Sequence, residues 1–460
     1  MTAHSRAGGS PSLVRGLGAW DGALLTVGAA VGTGIFLTAG DIARSLPHAG
    51  AILVIWVVGG LLTLAGALTY AELGTLYPRA GGMYVFLREA YGPLPAFLYG
   101  WACFLVIMSG GIAAIAVGFG EYLGSFLPFF STGHVLLAVP LGAWTWTLSG
   151  GQIAAASAIV LLTAVNYVGL RTGAGAQNLL TVVKVTAIVA FAGIGLLAPP
   201  RAAPALTAPL PSPGLLAAFG VGMIAALWTF DGWYGLTFSA GEVRRPERDL
   251  PLGLIGGTLA VMVLYLALNA VYLRALPIEA IAATPRIGES AAAALLGAAG
   301  ARAVSALVLV SAFGCLAATI FYAARIYLPM AEDGVFFRGL AEVHPRFRVP
   351  GRSLVAQCAW AVLLTVSGTY SELYTYVVFA ATLFHAATGA AVFVLRRTRP
   401  ELPRPYRTWG YPVVPALFIL GCALIVLNTL VEKTVEALIG LGLVALGLPA
   451  YAAWRRRSQR

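Results

Sequence analysis

Long apolar runs separated by short polar segments dominate the sequence. Twelve of these runs have about the length of a membrane-spanning helix, which takes about 20 apolar residues. We predict spans at 19–44, 51–77, 94–121, 152–169, 177–198, 214–241, 253–275, 303–328, 353–368, 371–395, 412–430 and 435–454. Because backbone polar groups inside a bilayer must pair within the chain, all twelve are predicted to be helices. The pattern therefore predicts an all-α integral membrane protein.

Composition excludes several other classes of protein. Of the 460 residues, 59% are apolar and only 10% are charged, and the mean hydropathy is +0.85. Ordinary soluble domains have about 25% charged residues. A soluble globular domain, a disordered chain and a disulfide scaffold are therefore excluded. All four cysteines lie inside apolar runs, so we predict no metal site, and no cofactor is indicated.

The basic residues predict the orientation of the chain. With both termini in the cytoplasm, 21 of the 29 basic residues fall in inner segments and 6 in outer ones, as the positive-inside rule requires of a cell-membrane protein. Their place in short loops argues against a nucleic-acid partner, despite the net charge of +11. A further run, Val135 to Leu148, is short and contains Pro140. We predict an interfacial or re-entrant piece there, because a thirteenth span would destroy the charge asymmetry.

Two predicted spans carry residues that interrupt helices. The first contains Gly28 and, at its centre, Gly32-Thr33-Gly34. These glycines suit close helix packing, but also an unwound centre that exposes backbone N–H and C=O groups. The sixth span contains Asp231 beside a second glycine. A carboxylate in lipid is costly, so Asp231 should face protein or water, where it caps the second half-helix or contacts a ligand.

The positions of these two spans predict an internal repeat. They open two successive sets of five spans, and an odd number of spans inverts the second set in the membrane. Paired broken helices at matching positions indicate an inverted-repeat transporter with its site at the breaks. The predicted organisation is a cytoplasmic tail at 1–18, a first repeat at 19–198, an inverted second repeat at 214–395, two peripheral helices at 412–454 and a basic cytoplasmic tail at 455–460.

Short motifs spread along the chain match one family. They are Gly32-Thr33-Gly34-Ile35-Phe36, Tyr70-Ala71-Glu72-Leu73, Pro78-Arg79-Ala80-Gly81-Gly82, Phe230-Asp231-Gly232-Trp233, Gly241-Glu242-Val243, Pro246-Glu247-Arg248-Asp249-Leu250-Pro251, Arg404-Pro405-Tyr406 and Tyr411-Pro412-Val413-Val414-Pro415. With these motifs the chain resembles the amino acid–polyamine–organocation superfamily, close to its L-type amino acid transporter branch. The resemblance implies a LeuT-type fold with broken helices 1 and 6, and amino acid transport by alternating access.

The resemblance also implies a substrate site built from backbone at the two breaks. On the carboxylate side it implies Gly32, Thr33 and Gly34, and on the ammonium side Ala30, Val31, Trp228 and Thr229. Asp231 is added as a candidate ligand. Trp228 takes the position of the family's outer gate, although a tryptophan there also suits ordinary packing. A zwitterion needs both kinds of half-helix end, so the physical logic agrees with the resemblance.

Lys184 is one of only two lysines and lies inside the fifth span. A charged lysine there costs about 3 kcal/mol on insertion scales. It can snorkel to the inner surface, or it can be a fixed internal cation. In sodium-driven relatives of this fold a sodium ion bridges spans 1 and 8, and some sodium-independent relatives place a lysine there. That reading predicts contacts with carbonyls near Gly32 and with Ser311 or Thr319, and argues against sodium coupling.

Other polar residues carry weaker predictions. Glu72 is expected to pair with a basic inner loop, and His385 to be a hydrogen-bonded core residue. Glu242 forms an inner gate or a solvated rim with the arginines that follow it, and we favour the rim. The segment 79–91 is predicted to lie amphipathically along the inner face, and 275–301 to be helical and able to act as a lid.

The predicted function is sodium-independent transport of neutral L-amino acids. Cationic amino acids or polyamines are the alternative, and exchange or proton symport stays open. An enzyme is not indicated, because HExxH, GxSxG and Walker A motifs are absent, and two broken helices suit a channel poorly. Some members of the family join a single-span glycoprotein through an extracellular cysteine. Because all four cysteines lie within predicted spans, no disulfide-linked partner is expected.

Overall fold

The computed structural model describes residues 15–141, 144–168, 170–202, 214–347, 349–367 and 370–458. The helices in chain order are α1 (Ala19–Ala30), α2 (Gly34–Leu37), α3 (Ala39–Ser45), α4 (Ala49–Leu76), α5 (Met83–Tyr91), α6 (Pro93–Ala102), α7 (Met108–Leu123), α8 (Gly150–Val168), α9 (Leu170–Leu197), α10 (Leu215–Phe230), α11 (Pro246–Ala275), α12 (Ile278–Ala283), α13 (Ile287–Glu332), α14 (Gly351–Thr365), α15 (Tyr370–Thr398), α16 (Val413–Glu432), α17 (Thr434–Ala445) and α18 (Gly447–Ser458). A π-helical turn, Cys103–Ile107, joins α6 to α7, and short 3-10 helices lie at Pro128–Phe130, Gly235–Glu242 and Arg338–Ala341.

Ten helical stretches of the described residues are long and apolar enough to cross a membrane. Two predicted spans, at 177–198 and 353–368, coincide with helices outside this set. The apolar part of α9 is Thr181–Leu197, and α14 has 15 residues, so both are shorter than the about 20 residues of a usual span. The predicted helices therefore form, and the structure supports ten spans by length and composition.

The prediction of an all-helical chain was wrong at 135–148. Val135–Leu141 and Trp144–Ser149 form an antiparallel two-stranded hairpin. The second strand reads Trp-Thr-Trp-Thr, the two-residue alternation that favours a strand with two different faces. Pro140 is tolerated because it lies on a strand with a free edge. The segment does not form a thirteenth span.

Two connecting segments are helical, as predicted for the second of them. The segment at 79–91 contains α5, and the longer connection at 275–301 contains α12 and the start of α13. Helix α12 and the loop that follows it are tied to neighbouring helices. Arg44 of α3 donates to the carbonyl of Ala282, and Arg286 pairs with Glu121 of α7 at 3.3 Å.

Both predicted helix breaks are present. α1 ends at Ala30, and the chain becomes helical again at Gly34 and continues through Thr38 to Ser45. α10 ends at Phe230, and four residues separate it from the 3-10 helix Gly235–Glu242. The second break needs glycine, because Gly232 has φ +93° and a side chain there would lie 2.9 Å from the backbone of Ala29.

The two breaks cross in contact. A side chain at Gly34 would lie 2.9 Å from Thr229 of α10, just as Gly232 abuts the end of α1. Helices α9, α11 and α13 pack around α1. This packing directs their side chains at the backbone of the first break.

Candidate functional site

A small cavity lies where the two breaks cross. Its walls are the breaks themselves together with α7 and α13. They comprise Ala29, Ala30, Gly32, Thr33, Gly34, Ile107, Met108, Gly111, Ile115, Trp228, Thr229, Asp231, Cys315, Thr319 and Tyr322. The volume open to the centre of a water molecule is about 20 Å³, room for about one water. Val31 is buried beside this cavity.

Lys184 reaches the first break from α9. Its Nζ donates to the carbonyl oxygens of Gly28 at 2.8 Å and Val31 at 2.7 Å. The side chain is buried, with 1% of its surface exposed, so the ammonium does not snorkel to either surface. The cation therefore lies at the C-terminal end of α1, where helix carbonyls lack partners and the helix dipole is negative.

Helix α13 supplies further donors to carbonyls at the first break. The Ser311 hydroxyl donates to Val31 O at 3.0 Å, and the Cys315 thiol to Ala29 O at 2.9 Å. Thr319 lines the cavity, but its hydroxyl donates within its own helix, to Cys315 O. Of the two α13 residues predicted to meet Lys184, Ser311 thus shares a carbonyl with it and Thr319 does not.

Tyr265 of α11 joins the two breaks, and sequence reasoning missed it. Its hydroxyl lies 2.8 Å from Ala30 O and 2.9 Å from Thr229 O, and it is fully buried. One hydroxyl therefore lies within hydrogen-bonding distance of carbonyl oxygens at the C-terminal ends of both α1 and α10. Tyrosine in an apolar run carries no sequence signal for this role, because the direction of its hydroxyl depends on helix packing.

Hydroxyl groups also link the two broken helices beyond the breaks. Thr38 Oγ1 lies 2.8 Å from Thr229 Oγ1, so one of the two hydroxyls donates to the other while the second is free to donate to a carbonyl of its own helix, Gly34 O for Thr38 or Ala225 O for Thr229. Tyr122 of α7 donates to Phe36 O at 2.9 Å. These bonds fix the helix that starts at Gly34 against α10 and α7.

Aromatic side chains cover one side of the cavity. The indole N–H of Trp228 donates to the Tyr370 hydroxyl at 2.9 Å, and Thr33 Oγ1 lies 3.4 Å from the same hydroxyl. The Trp228 ring stacks on Tyr374 with an interplanar angle of 18°. Tyr374 in turn donates to Asp41 at 2.7 Å. Trp228, predicted as a gate, therefore lies in a layer between the cavity and the region beyond it.

A larger cavity of about 620 Å³ lies beyond this layer. We call it the vestibule. Tyr370 lines it, as do Asp41, Glu121 and the hairpin strand at 145–147. Trp146 fixes the hairpin in this position by donating to Val366 O at 2.7 Å. One aromatic layer therefore separates a large open space from the small cavity at the breaks.

Asp231 lies directly after the last residue of α10 and lines the small cavity at the breaks. The following 3-10 helix begins at Gly235, and the residue in its N-cap position is Tyr234. Asp231 therefore does not occupy the cap position of the second half-helix. Among the described residues that line this cavity it is the single carboxylate.

Three other sequence predictions have clear outcomes. Glu72 pairs with Arg396 through two bonds of 2.9 and 2.7 Å and accepts the N–H of Thr408, so its expected pairing with a basic segment is present. His385 is hydrogen-bonded to Tyr70 at 2.9 Å in the core. The rim interpretation of Glu242 was wrong, because its partner is the buried Arg325 of α13 at 2.7 Å.

Comparison with known proteins identifies the family of this chain. The family model described as amino acid permease matches residues 17–440. The chain belongs to this family, within the amino acid–polyamine–organocation superfamily. Membership and the ten apolar helices together establish a multi-pass membrane protein.

Individual relatives match over most of their length. The serine/threonine exchanger SteT of Bacillus subtilis is 30% identical, over 94% of this chain and 95% of its own. The b(0,+)-type amino acid transporter 1 of Homo sapiens is 31% identical, over 92% and 84%. The human cystine/glutamate transporter is 27% identical, over 94% and 83%. The relatives support amino acid transport by this chain.

Proposed function

We propose that the chain is a sodium-independent secondary transporter that moves neutral L-amino acids by alternating access, as an exchanger. The observation that carries the proposal is the buried ammonium of Lys184, which binds Gly28 O and Val31 O at the first break. The proposed architecture is LeuT-type, with twelve spans, inverted repeats at 19–198 and 214–395, and peripheral helices at 412–454. Both termini lie in the cytoplasm of a cell-membrane protein.

The helix ends at the crossing support binding of a zwitterion. The carbonyl ends of α1 and α10 meet there and favour a positive group. The helix that starts at Gly34 presents its N–H end to the same cavity and favours a carboxylate. We assign the ammonium to Ala30, Val31, Trp228 and Thr229, and the carboxylate to Gly32, Thr33 and Gly34.

Lys184 supports sodium independence. A bound sodium ion would need oxygen ligands at the first break, and the ammonium already takes two of the carbonyls there. Ser311 adds a hydroxyl to one of them. We infer that a fixed cation holds the break in its binding geometry through the transport cycle, a task that a bound sodium ion performs in other members of this fold.

The cavity lining favours a neutral substrate, with one specific exception. Most lining residues are small or apolar, and Gly111 and Ile115, which α7 contributes to the lining, are uncharged. Asp231 is the exception, and it favours a cationic side chain as the second candidate. Exchange is supported by the SteT relative, which is named an exchanger. Proton symport is the alternative mode.

Transport by purified protein in proteoliposomes tests the proposal. Vesicles are loaded with unlabelled amino acid or left empty, and uptake of radiolabelled alanine, leucine and arginine is followed with and without sodium and a pH gradient. Uptake that needs internal amino acid and ignores sodium supports an exchanger. Uptake into empty vesicles driven by external acid indicates proton symport, preference for arginine indicates a cationic substrate, and a sodium requirement refutes the role given to Lys184.

A further inference from the structure

The end of the second broken helix is tied to the start of the first. The carbonyl of Glu242, the last residue of the 3-10 helix, accepts the N–H groups of Gly16 at 2.8 Å and Leu17 at 3.0 Å. The N–H of Arg244 donates back to Leu17 O at 2.8 Å. These three bonds form a short parallel β-bridge. The segment before α1 and the end of the 3-10 helix are therefore joined through their backbones.

The side chain of Glu242 ties this joined pair to a third element. It accepts a hydrogen bond of 2.7 Å from Nε of Arg325 in α13. The two side chains are 14% and 3% exposed, so this ion pair is largely withdrawn from solvent. Arg325 is held further by donating to Phe321 O and by lying over the Phe321 ring. The arginine is thus fixed on α13.

This contact closes the side of the cavity opposite the vestibule. Tyr322, which lines the cavity, lies one helical turn from Arg325 on α13. Phe238 of the 3-10 helix stacks on Tyr322 with ring centres 5.6 Å apart. The 3-10 helix therefore meets α13 first through this stack and then through the Glu242–Arg325 pair. We call the surface at this end of the molecule the Glu242 face.

We propose that Glu242 is a positioning residue that locks the Glu242 face shut by holding the inner halves of both broken helices to α13 through Arg325. This inference rests on the proposed transport by alternating access. To open the cavity at this face, the β-bridged pair must move from α13 as one unit. Such a movement breaks the ion pair and leaves Arg325 without its carboxylate, which favours the closed state.

Cys315 is a native reporter for this opening. It is buried and lines the cavity, so a membrane-impermeant maleimide reaches it only when one face opens. The labelling background replaces the other three cysteines: Cys103→Ala, Cys358→Ala and Cys422→Ala. In this background we compare Glu242→Gln, Arg325→Lys and the swapped double variant Glu242→Arg with Arg325→Glu. The rate of labelling is measured from each face of reconstituted vesicles.

The expected result is faster labelling of Glu242→Gln from the Glu242 face, by about tenfold or more, because loss of one partner of a buried ion pair commonly exceeds the free energy of a tenfold change. Labelling from the vestibule side does not rise. The swapped variant restores slow labelling, since the backbone bonds of residue 242 do not depend on its side chain. Arg352→Gln is the matched control, because it removes an exposed pair with Glu342 at 2.9 Å.

Two results overturn the inference. One is an unchanged labelling rate in Glu242→Gln and Arg325→Lys. The other is equal acceleration from both faces with no recovery in the swapped variant, which indicates a general loss of packing. Labelling is read without any substrate, so it answers this question even if the transport assay finds no amino acid that moves. Failure of the proposed function and failure of the Glu242 lock are therefore separate outcomes.

Discussion

Replacing Lys184 by alanine removes a charged group that is bound to the first helix break. The ammonium makes two charge-assisted hydrogen bonds, to Gly28 O and Val31 O, and such bonds contribute about 1.5–3 kcal/mol each. Burying the charged lysine costs about 3 kcal/mol, which the alanine variant recovers. The net loss of stability is then about 0–3 kcal/mol. We therefore expect Lys184→Ala to fold.

Transport should respond far more strongly than stability. Without the ammonium, Gly28 O has no donor within the described residues, and Val31 O keeps only Ser311. Of the carbonyls proposed to face the substrate ammonium, that of Val31 then loses one of its two donors. Each 1.4 kcal/mol corresponds to a factor of about ten. If the free energy that holds the break in its binding conformation falls by a few kcal/mol, the rate of exchange is therefore expected to fall by about tenfold or more.

The assay is amino acid exchange in proteoliposomes, measured beside the thermal unfolding midpoint of the same preparations. Lys433→Ala is the matched control, because Lys433 is the other lysine of the chain and lies in the turn between α16 and α17. Wild-type exchange rates in Lys184→Ala would refute the reasoning. So would a loss of transport fully explained by unfolding of the variant.

Three further predictions test other parts of the structure. Tyr265→Phe removes the hydroxyl shared by the two breaks and should slow exchange severalfold while costing about 1–3 kcal/mol of stability. Gly232→Ala places a methyl group against Ala29 at a positive φ and should abolish exchange, with a stability cost of at least about 1 kcal/mol. Burial would raise the pKa of Glu89, but hydrogen bonds from Arg399 and Arg79 lower it below its usual 4.5, so the stability from this contact is present above about pH 4.5 and is lost as pH falls through the lowered value. Glu89→Gln should therefore unfold with a flatter dependence on pH in the acid range.

Matched variants separate these effects from general damage. Tyr272→Phe removes a buried hydroxyl of α11 that has no hydrogen-bond partner among the described residues, so exchange should be unchanged. Gly256→Ala adds a methyl group where no atom lies within 4 Å, and should be neutral or stabilising. Glu342→Gln removes an exposed carboxylate, 55% accessible, and should leave the acid unfolding profile as it is. If a test variant behaves like its matched control, the corresponding contact does not have the role assigned here.

Sequence reasoning located the two breaks and Lys184 because each contradicts its surroundings. Glycines in the middle of an apolar helix, a carboxylate in lipid and a lone buried lysine all carry a cost that needs compensation. Such costs can be recognised in the sequence from each residue alone. The carbonyls that bind Lys184 are those of Gly28 and Val31. They could not be predicted from the sequence, because they depend on how α9 crosses α1.

The residues that sequence reasoning missed do not stand out from the segments in which they lie. Tyr265, Tyr370 and Tyr374 lie in apolar runs where a tyrosine is unremarkable, and only the packed structure shows where each hydroxyl points. Sequence reasoning gave Arg325 no partner, since its carboxylate, that of Glu242, lies 83 residues away in sequence. The hairpin at 135–149 had a readable signal in its alternating strand, which a search for helical spans passed over.

The sizes of the two cavities constrain how a substrate must enter. The vestibule offers about 620 Å³, whereas the space at the crossing of the breaks holds about one water. In the proposed mechanism an amino acid has room in the vestibule but binds at the breaks only after Trp228 and Tyr370 separate. At the proposed site its ammonium competes with the Tyr265 hydroxyl for Ala30 O and Thr229 O, the two carbonyls that lie within hydrogen-bonding distance of this hydroxyl. On this proposal substrate binding replaces the Tyr265 contact between the two broken helices by a contact through the substrate, and the bound amino acid thereby couples its own binding to the movement of those helices.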